Sequence, residues 1–235
     1  MRPSRENMPV VKPDDLLRWL RRGYRHHLHP GGHGRLVGLV RHAYDLHGDH
    51  ATAHGKEKLR RDGEHPGESP EWTTYLGAIL SQVAWAHDYR QEFERPGKVD
   101  WSWCPKGSQD HIVLIEHEND VERVHSQKRV KKLAKRAAEE SGGRARPLAV
   151  VVSYPYPSGC GRKDLQSPSA ILRVISKDLR KLPTPLRFRR DRFLLILGGA
   201  GWPPTWKNYW RGWVWTGRRL KSIRPRSPNS GRTRN

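Results

Sequence analysis

Cysteine is almost missing from this 235-residue chain: Cys104 and Cys160 are the only two. Two thiols build neither a disulfide framework nor a four-thiolate zinc site. Long apolar runs are missing as well. The longest, Phe193–Leu197 and Ala149–Val152 among them, fall far short of the roughly 20 residues that a bilayer span requires. No apolar stretch of the secretory kind follows Met1-Arg2-Pro3-Ser4-Arg5-Glu6. The expectation is a soluble, cytoplasmic protein with no membrane partner. Apolar residues reach only 34%, and there are three phenylalanines. Ten tryptophans and seven tyrosines still supply core-forming surface, which argues against a disordered chain. No P-loop, His-Glu-x-x-His or Gly-x-Ser-x-Gly sequence occurs, and no internal repeat is visible.

Acidic residues are the other shortage. Twenty-four Asp and Glu face 45 Lys and Arg, for a formal net charge of +21. Such an excess points to a polyanionic partner, because Lys and Arg release counterions when they meet phosphates. The charge is uneven: residues 1–70 carry +4, residues 71–120 carry −5, and residues 121–235 carry +22. Carboxylates clustered inside a phosphate-binding protein cost affinity, so they need a reason. Metal binding is one.

The pattern of elements predicts an α/β protein. Asp14-Asp15 ahead of Leu16, Leu17, Trp19 and Leu20 reads as a helix start. A second helix is expected over 35–47 and a polar connection over 48–69. Ser69-Pro70-Glu71 opens a helix that runs to about His87. Strand-like pieces follow at Tyr89–Glu94, Lys98–Cys104 and His111–Glu118, with turns at Pro96-Gly97 and Pro105-Lys106-Gly107. A basic helix over Val121–Glu140, a strand at Leu148–Tyr154, a helix opened by Ser167-Pro168 and a strand at Arg192–Leu197 complete the order. That order implies a mixed sheet with helices on both faces. The domains expected are an N-terminal helical, His-rich extension over 1–69, a core with a Trp-rich C-terminal segment over 70–223, and a disordered basic tail over 224–235.

The most informative segment is Ile112-Val113-Leu114-Ile115-Glu116-His117-Glu118-Asn119. Four apolar residues mark a central strand, yet it ends in two acids. Side chains at i and i+2 share a strand face, so Glu116 and Glu118 point the same way. An adjacent antiparallel strand carrying Asp100 brings a third carboxylate beside Glu116. Hard oxygen ligands suit Mg²⁺ or Mn²⁺ rather than zinc. This arrangement resembles the PD-(D/E)XK nuclease superfamily: a helix, a strand meander bearing an Asp, an acid–x–Lys at the end of the next strand, then a helix and a fourth strand. Asp100 fits the motif Asp and Glu116 the second acid, while Glu118 stands where the family usually has Lys. The resemblance spans roughly residues 70–197. It implies a restriction-endonuclease-like fold and a Mg²⁺- or Mn²⁺-dependent nuclease, an endodeoxyribonuclease that hydrolyses phosphodiesters. Asp100, Glu116 and Glu118 would be its catalytic metal ligands, with Glu71 as an added one.

The expected partner is nucleic acid, double-stranded DNA in first place, with a homodimer left open. Lys128, Arg129, Lys131, Lys132, Lys135 and Arg136 on the basic helix, with Arg189, Arg190, Lys207 and Arg211, are the expected backbone-gripping residues. Lys128 and Lys131 are also candidates for the cation that the motif Lys would supply. Trp202, Trp206, Trp210, Trp213 and Trp215, interleaved with basic residues, suit base stacking or core packing. Eight histidines between His26 and His54 form a tract able to bind a transition metal. Cys104 lacks a partner base in its neighbourhood, which speaks against a thiol nucleophile. The alternatives are a non-catalytic nucleic-acid-binding protein on the same fold and a basic ribosome- or nucleoid-associated structural protein.

Overall fold

A computed structural model of the chain describes residues 10–27, 69–93, 99–118, 124, 128–141, 146–153, 167–197 and 211–223. Outside them lie the expected helix over 35–47, most of the His-rich tract, Trp202, Trp206, Lys207, Trp210 and the tail. The described helices are α1 (Pro13–His27), α2 (Ser69–Ala86), α3 (Lys128–Ser141) and α4 (Pro168–Lys181). The strands are β1 (Tyr89–Phe93), β2 (Trp101–Pro105), β3 (Val113–Glu118), β4 (Leu148–Ser153), β5 (Phe193–Leu197), β6 (Arg211–Trp215) and β7 (Leu220–Ser222).

All seven strands form one sheet in the order β1-β2-β3-β4-β5-β6-β7. β1, β2 and β3 are an antiparallel meander. β3, β4 and β5 are parallel neighbours, and each step between them passes through a helix, α3 then α4. β6 and β7 return antiparallel. The fold is thus mixed α/β. The three parallel strands are buried along their whole length, as strands covered on both faces must be.

Two apolar clusters cover the two sheet faces. Leu16, Leu17 and Leu20 of α1 pack with Leu76 and Leu80 of α2 on Trp101, Trp103, Val113, Ile115 and Val150. On the other face, Val130, Leu133 and Ala137 of α3 and Ile171, Ile175 and Leu179 of α4 pack on Leu114, Ala149, Val151 and Leu195. The alternation fixes which residues look at α3: from β3 they are Leu114, Glu116 and Glu118. α4 starts as its residues dictate, with Ser167 accepting from the Ala170 N–H and Pro168 in the first turn.

The C-terminal strands are an addition to the expected order. Trp213 and Trp215 lie on β6 and are buried in the α3/α4 cluster, which makes these two rings core residues rather than a stacking platform. The strand expected from residue 98 begins at Trp101.

Candidate metal and nucleic-acid site

The sheet brings Asp100, Glu116 and Glu118 together. Asp100 directly precedes Trp101, which pairs with Ile115, and its charge acts on Arg129 of α3. An Asp100 carboxylate oxygen accepts the His117 N–H at 2.7 Å. Glu116 is fully buried and Glu118 is 6% exposed. Burying carboxylates costs several kcal/mol each unless cations accompany them. The cations come from the first turns of α3. Arg129 Nε donates to Glu118 Oε2 at 2.8 Å, and Arg129 Nη1 lies 3.6 Å from Glu116 Oε2. Lys132 Nζ lies 2.9 Å from Glu116 Oε1. Burial works to lower the Arg129 pKa, but Glu116, Glu118 and Asp100 together outweigh it and raise it.

One guanidinium therefore serves three acids. The acids gather around Arg129 rather than within 4.8 Å of one another. Three carboxylates are the donor type that a hard cation takes, and here Arg129 and Lys132 accompany them. Among the described side chains, Arg129 and Lys132 are the cations beside the acids. Lys131 is exposed, and the Lys128 and Glu71 side chains lie outside the described residues. His117, between the two acids, points to the opposite face beside Trp101, with ring centroids 6.2 Å apart. Burial pushes its pKa down to about 3.

The expected nucleic-acid-binding residues divide. Arg129, Lys132 and Arg136 turn inward to acids, Arg136 pairing with Glu139 and Glu140. Lys131 and Lys135 face solvent. Arg211 ends the row of paired residues Glu118, Ser153, Leu197 and Arg211, exposed on the acids' face about 14 Å away by strand spacing. Arg189 and Arg190 precede β5, which starts at the sheet end opposite to Glu118. The structure does not bring those two to the acids.

A second constellation escaped the sequence. Cys104 is fully buried on β2, and the Pro105-Lys106-Gly107 turn, with Gly107 at φ +76°, folds the chain back to His111. The partner that Cys104 was expected to lack is this imidazole. His111 Nε2 lies 3.0 Å from Glu92 Oε2, and Nδ1 lies 2.9 Å from Glu140 Oε2. The contact with the Cys104 thiol raises the His111 pKa most; burial opposes it, Glu140 and Glu92 add to it, and the result is about 9. The signal was a Cys and a His bracketing a turn between paired strands, a spacing that only the fold makes short.

No family model, curated protein or solved structure matches this chain. Among the described residues, no helix is long and apolar enough to cross a membrane.

Proposed function

We propose that this chain is a metal-dependent nuclease of the PD-(D/E)XK kind that hydrolyses DNA phosphodiester bonds. The observation that carries the proposal is the gathering of Asp100, Glu116 and Glu118 around shared cationic side chains. The element order supports a restriction-endonuclease-like fold: a helix, a meander bearing Asp100, a strand ending in the acid pair, then a helix and a parallel strand. Asp100, Glu116 and Glu118 are the groups that would hold Mg²⁺ or Mn²⁺. The ion would supply an activated water and neutralise charge developing on the phosphate. Arg129 then has two tasks that the missing motif Lys leaves open: to hold the acids in register without a metal, and to orient the phosphate or water beside it. Lys131, Lys135 and Arg211 are exposed cations that would meet the DNA backbone.

One observation favours a second reading. Arg129 and Lys132 already balance much of the buried negative charge, so the site is electrostatically satisfiable without any ion. A nucleic-acid-binding protein that does not cleave would look the same. Cleavage of double-stranded DNA, single-stranded DNA and RNA, in Mg²⁺, Mn²⁺ or chelator, separates the two. The expected result is metal-dependent DNA cleavage, lost in Asp100→Ala and Glu116→Ala while DNA binding is kept. Binding without cleavage in every metal would leave the second reading standing.

A further inference from the structure

We infer that Cys104, His111 and Glu92 form a zinc site, separate from the acid triad and at the opposite end of β2 and β3. The three residues come from different pieces of the meander: Glu92 from β1, Cys104 from β2, and His111 from the segment leading into β3. Each offers one ligand atom, and the three atoms lie within 4.8 Å of one another. Zinc bonds of about 2.0 to 2.3 Å in tetrahedral geometry set ligand atoms roughly 3.5 Å apart. The remaining contraction is within reach of side-chain rotation.

The donor set selects the metal. A thiolate, an imidazole and one carboxylate suit zinc, whereas the all-oxygen triad at the other end suits a hard cation. The surroundings are enclosed, and three protein ligands leave the fourth tetrahedral position to a water. Cys104 is inaccessible and the His111 side chain is 10% exposed. Glu140 Oε2 lies 2.9 Å from His111 Nδ1, out of hydrogen-bond alignment, and a small turn of the ring would make it the outer carboxylate that metal-bound imidazoles usually have. Arg90 on Glu92 and Arg136 on Glu140 fix both carboxylates in turn. Zinc there would tie the edge strand β1, the meander and α3 into one unit.

Cobalt(II) titration of chelator-treated protein tests the site, because a cobalt–thiolate bond gives a near-ultraviolet charge-transfer band that histidine and carboxylate ligands do not. The expected result is a band that saturates at one equivalent and is displaced by zinc but not by Mg²⁺. It should persist in Cys160→Ser and vanish in Cys104→Ser and His111→Gln, with circular dichroism checking that the variants fold. Glu92→Gln, a half-buried edge-strand change, gives an arm that does not depend on altering the core. It should keep the band and weaken cobalt affinity about tenfold or more. Absence of the band, its loss in Cys160→Ser but not in Cys104→Ser, or cobalt uptake without it, as histidines of residues 26–54 alone would give, overturns the inference.

Discussion

Arg129 and His117 mark what a linear sequence hides about single residues. The i, i+2 spacing after a buried run was enough to place Glu116 and Glu118 on one face, and strand adjacency was enough for Asp100. Which cation meets them depends on the rotation of α3 over the sheet. A helix with six basic residues between 128 and 136 offers no local sign that Arg129 and Lys132 turn inward while Lys131 turns out. Cys104 and His111 were illegible for the same reason, since their contact belongs to a turn and a register.

His117, buried, and His111, partly buried, oppose each other in pH dependence. His117 stays neutral when folded, with its pKa held near 3 by burial. The unfolded chain takes up that proton near 6.5, so the His117 contribution is complete above that pH and falls as pH drops toward 3. His111 is raised to about 9. Its contribution is complete below about 6.5 and is lost as pH climbs through 9. For metal-free protein, urea midpoints between pH 4 and 9 should therefore decline on both sides of about 6.5. His117→Asn should flatten the acid limb and His111→Gln the alkaline limb. An unchanged slope in either variant would remove that histidine as the cause.

At the scale of elements, the order of helices and strands through β5 follows from apolar periodicity and turn residues. β6 and β7 do not, because the Trp-rich segment mixes aromatics with Arg and Gly in a pattern equally suited to stacking on bases. What decides is packing: β6 lies so close to α1 that a Cβ on Gly212 would meet Leu17 Cδ2 at 2.5 Å. Gly77 of α2 faces Trp101 in the same way, and a Cβ there would sit 2.9 Å from the indole Nε1. These two glycines set the approach of both helices to the sheet. Gly77→Ala gains about 1 kcal/mol of helix propensity. Trp101 is 3% exposed and has nowhere to yield, so overpacking of about 1–3 kcal/mol wins. Gly212→Ala gains a similar amount of backbone entropy, about 0.5–1 kcal/mol, but its Cβ would meet Leu17 at 2.5 Å, closer than the 2.9 Å at Gly77. Both variants should lower the urea midpoint, Gly212→Ala by more. A stabilised Gly77→Ala would mean that α2 can lift off Trp101 at little cost.

Across the whole molecule, the net charge of +21 is what supports the proposed polyanionic partner. The informative quantity is where on the surface such a partner binds. If the acid triad is the working site, DNA must lie along the sheet end that carries Glu118, Ser153, Leu197 and Arg211. Arg211 then contacts phosphate, whereas Arg189 and Arg190, before β5, sit at the far end and stay in solvent. Charge count alone predicts the reverse, because the double change removes two cations and the single change only one. Binding measured over a series of salt concentrations separates the two accounts. Arg211→Gln should reduce the slope of log K against log salt by about 1, as loss of one phosphate contact does. Arg189→Gln combined with Arg190→Gln should leave the slope nearly unchanged. If the double variant instead loses about 2 and Arg211→Gln loses nothing, DNA lies at the other end of the sheet, and Asp100, Glu116 and Glu118 are far from any phosphate.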